Sequence, residues 1–208
     1  MKLYHLDRAQ SLCENMIADL QRNMGQEPFS SFKEWFPAGL SPHGMAYLRE
    51  NKLLIPPLPA NDVRTNTIVN ALGIEAFKSA NRRAQELLCE WNFELIRRAF
   101  FPDKVSRFQC LYALGNMADY DLWPELDVNS GVLFEIETDA AQCFDANWLR
   151  GGFDFYGENG LLNYRFSPAE NARHAMNYWS GKVTNAPRME YLVPYPVYVG
   201  KRSGELHP

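Results

Sequence analysis

What the chain lacks narrows its chemistry first. No apolar run approaches the roughly 18 residues that a membrane span needs; stretches such as Leu53-Leu54-Ile55 are broken within a few positions by proline or charge. Positive charge is in deficit. Lys and Arg number 21 against 25 Asp and Glu, for a net charge of -4 and a pI near 5.6, so no global field draws the chain to phosphate or anionic lipid. Cysteine is scarce and scattered: Cys13, Cys89, Cys110 and Cys143 form no C-x-x-C pair and have no histidine at ligand spacing. That excludes the common zinc and redox signatures and predicts buried, reduced thiols. His43, His174 and His207 likewise lack a partner at i+3 or i+4. No G-x-G-x-x-G, G-x-x-x-x-G-K-[ST], G-x-S-x-G or kinase motif set is present, which removes the familiar nucleotide-binding and nucleophile-elbow chemistries. Met1 to Arg8 meets charge at once and has no apolar signal core, so the cytoplasm is the expected compartment.

What is present fits one α+β domain over residues 1–208, with 46% hydrophobic and 22% charged residues. A chain this long buries about 70% of its unfolded surface. Leu3-Tyr4-His5-Leu6 is β-compatible, and Ala9, Leu12, Cys13, Met16, Ile17, Leu20 and Met24 fall on a helical stripe that Gly25 ends. Residues 26–62 are rich in proline and aromatics and predict an irregular packed connection, with a turn of helix at Gly44 to Glu50. Residues 64–100 predict a helical insertion. Its core stripe is Phe77, Ala80, Ala84, Leu87, Leu88, Trp91 and Leu95, and Glu86, Glu90, Glu94, Arg97 and Arg98 fall on the solvated side.

Ser106 to Leu114 predicts a central strand buried on both faces. A short helix follows at Ala118 to Leu126. Val132 to Asp139 alternates as a half-exposed strand, with Glu135, Glu137 and Asp139 outward. Beyond the glycines at 151, 152, 157 and 160, Ser167-Pro168-Ala169-Glu170 combines a cap with proline at the first helical position and predicts a helix through Trp179 that Gly181 ends. Met189 to Val199 is β-rich but carries Pro194 and Pro196, so the expectation is an edge strand or a bend. A polar tail runs from Lys201 to Pro208.

Three polar features on these strands carry the chemistry: Tyr4-His5 on the first strand, Ser106-Arg107-Phe108 leading into Leu111-Tyr112-Ala113, and Glu190 in Met189-Glu190-Tyr191-Leu192-Val193. Their order resembles the ADP-ribosyltransferase superfamily, and most of all its bacterial toxin-type and defence-type branch that modifies nucleic acid. The resemblance rests on about twenty residues. It implies a split β-sheet core gripping NAD, whose nicotinamide is expelled and whose ADP-ribose passes to a macromolecular acceptor such as RNA or single-stranded DNA, with a neutralising antitoxin as a possible partner. Glu190 would be catalytic, holding the ribose 2'-hydroxyl against the oxocarbenium-like state. His5 would bond the adenosine-side ribose with Tyr4 bracing it, and Ser106 would open the cofactor-binding strand. Arg107 or Arg8 would pair with the pyrophosphate, a chemical inference rather than a family match. Tyr112 or Trp179 would stack on nicotinamide or belong to the core.

Each residue also has a plainer reading. His5 fits a structural histidine, Arg107 a partner for Asp103, Glu190 a solvated edge charge, and Glu135 with Glu137 a wet sheet face. Asp145 to Leu149 reads as a cap with Trp148 packed. The enzyme reading expects Glu190→Ala to abolish activity with little loss of stability. A non-catalytic binding module on a degenerate fold, presenting Phe29 to Phe36 and the Tyr191, Tyr195, Tyr198 edge, expects no NAD turnover, and an NAD glycohydrolase would use water alone.

Overall fold

Strand alternation and two long helices build three layers. The computed structural model describes residues 1–22, 30–50, 74–124, 126, 131–150, 153–156 and 163–203. The strands are β1 (Lys2–Asp7), β2 (Ile17–Ala18), β3 (Cys110–Ala113), β4 (Val132–Glu137), β5 (Gln142–Asp145), β6 (Phe153–Tyr156), β7 (Asn163–Phe166), β8 (Met189–Pro194) and β9 (Val197–Arg202). The α-helices are α1 (Ser30–Trp35), α2 (Pro42–Glu50), α3 (Ile74–Phe100) and α4 (Pro168–Trp179). Two antiparallel sheets form the core, one in the order β1-β4-β9-β2 and the other β3-β8-β5, while β6 and β7 pair as a hairpin.

The sheets meet through Leu3, Leu111, Ala113, Phe134, Ile136, Val193 and Val199. Leu111 and Ala113 face the four-stranded sheet, so Cys110 and Tyr112 point the other way, toward α3 and α4. There Cys89 and Phe93 of α3 and Ala175, Tyr178 and Trp179 of α4 close over Cys110, Phe144 and Leu192. β3 and β8 are thus covered on both faces, which explains their short, nearly continuous apolar runs. α4 is capped as its sequence requires: the Ser167 side chain accepts a bond from the Glu170 amide at 3.4 Å, and Gly181 takes a φ of +77° just past the end.

Several expectations are corrected. The stripe from Ala9 to Leu20 is not helical. The Asp7 carboxylate accepts from the amides of Ala9 and Leu12 at 3.1 and 2.7 Å, Gln10 and Asn15 adopt positive φ, and β2 pairs with β9. Leu12 and Met16 still pack on the sheet core, without a helix to carry them. The expected bend is present at Tyr195-Pro196, but β8 and β9 on either side of it are interior strands rather than edges, because Pro194 and Pro196 fall at the strand end and in the turn, where the ladder needs no further amide. Residues 107–109 form a 3-10 turn rather than strand, since the Ser106 hydroxyl caps the Phe108 amide at 3.2 Å. Of the four thiols, only Cys89 and Cys110 are buried. Helix is present at 30–35 within the segment expected to be irregular. The expectations for Met24, Gly25, residues 26–29 and 51–73, the glycines at 151, 152, 157 and 160, and the tail beyond Ser203 lie outside the described residues.

Candidate functional site

A buried carboxylate costs several kcal/mol unless a cation and hydrogen bonds answer it. Two such carboxylates converge on Arg107. Its Nε and Nη2 donate to Glu90 Oε2 and Oε1 at 2.7 and 2.9 Å, a bidentate pair. Its Nη1 donates to the Tyr178 hydroxyl at 2.8 Å and ion-pairs with Glu190 Oε1. Tyr178 in turn donates to the same Glu190 oxygen at 2.6 Å. Arg107, Glu90 and Glu190 are all buried. Four separate elements therefore meet: α3, the 107–109 turn, α4 and β8.

One cation between two acids leaves this cluster electron-rich. Burial raises the Glu190 carboxyl above the usual carboxylate range and the charge of Glu90 adds to the rise, while Arg107 and the Tyr178 phenol oppose it. Burial disfavours the Arg107 charge too, but Glu190 and Glu90 hold it firmly protonated. Both bonds to Glu190 fall on Oε1. Among the described residues, none is made to Oε2.

A cavity of about 370 Å3 adjoins the cluster, within the range of ligand pockets. Its polar end carries His5, His43, Tyr47, Tyr112 and Glu190; its apolar end carries Leu6, Leu114, Trp123 and Leu126, with exposed Arg8 also on the wall. The space lies where β1 and β3 part company. Tyr4 of β1 exchanges reciprocal backbone bonds with Leu114, just past the end of β3, at 2.9 and 2.8 Å, while β1 pairs with β4 and β3 with β8. His5 reaches across the gap, its Nδ1 lying 2.6 Å from the Tyr112 carbonyl. A carbonyl only accepts, so Nδ1 carries the proton. Burial lowers the pKa of His5; the neutral ring leaves Nε2 as an acceptor.

A family model described as a protein of unknown function (DUF2441) matches residues 3–204. The chain belongs to the DUF2441 family. No curated protein matches it. The match spans every residue of the candidate site, from His5 to Glu190.

The sequence candidates divide. His5, Arg8, Arg107, Tyr112 and Glu190 line one cavity. Tyr4, on the opposite face of β1 from His5, packs instead with Leu114, Tyr120 and Leu133. Ser106 is buried with its hydroxyl on Glu94 Oε2 at 2.9 Å, facing α3. Trp179 is core, its indole bonded to the Phe93 carbonyl at 2.8 Å. Arg107 pairs with Glu90 and Glu190 rather than Asp103, and Glu190 is no solvated edge charge. Removing its carboxylate would strip one counter-ion from a buried cation, so Glu190→Ala is no longer expected to leave stability untouched. The aromatic edge is not open either: Tyr191 and Tyr195 pack on the sheet core, and only Tyr198 is more than half exposed, at 51%. Asp145 does cap a 3-10 turn, Ala146–Trp148, and also accepts from the Thr184 amide and hydroxyl at 2.7 and 2.6 Å. Glu135 pairs with Lys2 on a partly exposed face.

Sequence reasoning missed His43, Tyr47, Glu90 and Tyr178. Glu90 repeats at four-residue intervals with Glu86 and Glu94 on a helix, which reads as a solvated row. Tyr178 sits among apolar neighbours and reads as core. Its hydroxyl is the clue, because a buried phenol needs a partner.

Proposed function

We propose that the chain is an NAD-consuming ADP-ribosyltransferase built on a split-sheet core of the superfamily's kind, acting as a toxin or defence effector on a macromolecular acceptor. One observation carries this reading: a buried carboxylate, Glu190, stands in the wall of a cavity opposite His5, with one oxygen clamped and the other unbonded among the described residues. The order β5-β8-β3, with β1 bridged to Leu114 just past the end of β3 by one isolated backbone pairing, supports it.

The chemistry needs an anion beside a developing positive charge. As the bond between nicotinamide and the ribose C1' breaks, its electron pair leaves with nicotinamide and the sugar becomes oxocarbenium-like. Glu190 Oε2 holds the 2'-hydroxyl and stabilises that charge in a site of low polarity. The acceptor's lone pair then forms the new bond to C1', and its proton passes to the carboxylate. His5 Nε2 accepts from a ribose hydroxyl. Tyr112, whose ring lies beside His43 in the cavity wall, offers a surface for nicotinamide, while Arg8 pairs with the pyrophosphate, since every nitrogen of Arg107 is engaged within the protein. RNA or single-stranded DNA suits an acidic chain better than duplex, because stacking rather than phosphate grip must hold it. An antitoxin covering the cavity mouth would be the matching regulator.

Nicotinamide release from NAD, measured with and without RNA, single-stranded DNA and cell lysate, tests this. Wild-type protein is expected to release nicotinamide faster with one acceptor, and Glu190→Gln, which keeps the side-chain shape, to lose at least a hundredfold of that rate. Release indifferent to any acceptor identifies an NAD glycohydrolase. No release from folded protein identifies a binding module whose Arg107–Glu190 pair is structural.

A further inference from the structure

Two donors meet on one oxygen of Glu190, and they come from opposite sides. Arg107 is delivered by the 3-10 turn before β3, and Tyr178 by the last turn of α4. Tyr178 is itself packed among aromatic rings. It is fully buried, stacked on Phe144 with ring centroids 4.7 Å apart, and edge-on to Phe93 and Trp179 at 5.7 and 4.7 Å. Its hydroxyl accepts from Arg107 Nη1 at 2.8 Å and donates to Glu190 Oε1 at 2.6 Å, so it closes a three-membered ring of polar groups. Packing of this kind would fill the core equally well with phenylalanine. The hydroxyl is what phenylalanine lacks, and its one use in the described structure is the bond to Arg107 and Glu190.

We propose that Tyr178 is a positioning residue: with Arg107 it pins Oε1 of Glu190, which turns Oε2 to the cavity and keeps the carboxylate an anion. This deepens the transferase reading and rests on it for its catalytic meaning, though the clamp itself is a property of the carboxylate. The groups that face Glu190 are Arg107 from the 3-10 turn, Glu90 from α3, Tyr47 from α2, Cys110 from β3 and Cys143 from β5. Of these, Glu90 opposes its charge and Arg107 supports it, while Tyr47, Cys110 and Cys143, whose pKa values burial raises, stay neutral. Tyr178 is therefore the second support, and the burial that raises the Glu190 pKa is left less opposed without it.

The test is Tyr178→Phe, which keeps the ring contacts and hence the fold. The acid limb of the pH profile for nicotinamide release should move up by about one pH unit, a tenfold loss of rate below the limb with recovery above it. An unmoved limb, or a loss equal at every pH, overturns the proposal. A readout without turnover separates it from the transferase reading: protein labelled with 13C at the glutamate side-chain carboxyls is titrated by NMR, with Glu190→Gln used to assign the resonance. A Glu190 titration shifted upward in Tyr178→Phe sustains the clamp even if no NAD is cleaved, and an identical titration in the two proteins refutes it.

Discussion

His43 is a neutral imidazole in a wall that also holds Asp7, Glu190, Arg8 and Arg107. Its ring stands edge-on to Tyr47 and Tyr112, with centroids 4.5 and 4.7 Å away, and burial lowers its pKa from 6.5 to about 4. The sign of the consequence follows from proton counting. Between pH 6.5 and 4 the unfolded chain binds a proton that the folded chain refuses, so stability falls as pH falls, by about 3 kcal/mol over the window. His5 adds to the same trend. Glu190, whose pKa is raised, contributes with the opposite sign as pH drops. Thermal unfolding followed across this range should show a declining midpoint, and His43→Phe should flatten the decline. At this scale the sequence was informative about which residues carry polarity on strands, His5 and Glu190 above all. It was silent about Tyr178 and Glu90, because a buried partner is identified only by what lies opposite it in space.

Helix α3 shows what a periodic pattern can and cannot say. Its existence and its end near Phe101 are legible in residues 77–98, and Leu87 and Trp91 pack inward as expected, yet part of its facing departs from the expected one. Glu90, Glu94 and Arg97 are buried, while Leu88 and Leu95 are 48% and 38% exposed. Ion pairing decides this. Glu94 takes Arg97, Arg98 and the Ser106 hydroxyl at 2.8, 2.7 and 2.9 Å, and Glu90 takes Arg107; a charge so satisfied can lie inward. The segment from Ala9 to Leu20 makes the complementary point, since backbone pairing with β9 and the Asp7 turn outweigh a helical stripe. Helix α2, which brings His43 and Tyr47 to the cavity, is docked by its first turn: the Ser41 amide and hydroxyl both donate to the Phe108 carbonyl, at 2.9 and 3.0 Å. A Cβ at Gly44 would meet that same carbonyl. Gly44→Ala should therefore push α2 off the turn and lower stability by about 1–3 kcal/mol in urea unfolding and, under the proposed transferase reading, weaken NAD binding together with it.

Across the whole molecule, Arg107 joins layers that the backbone alone leaves separate. Replacing it with methionine would leave Glu90 and Glu190 buried with no countercharge, a loss of about 3–5 kcal/mol expected in urea unfolding. Glu90→Gln should cost less, because Glu190 still answers the guanidinium. The α+β class, α4 and β4 could be read directly from capping residues and alternation. The assignment of β8 to a sheet interior could not, since it depends on β3 and β5 lying on either side. No helix among the described residues is long and apolar enough to cross a membrane.

The order of synthesis gives this topology one more meaning. The N-terminal strand β1 pairs with β4, and the four-stranded sheet is completed by β9, the last strand described. The cavity wall likewise needs residues 5, 107 and 190 together. Such distant pairings are slow to form, and no chain emerging from the ribosome short of β8 contains the Glu190 clamp at all. Under the proposed transferase reading, the protein is then inert while it is being made and becomes active only once β8 has joined β3 and β5.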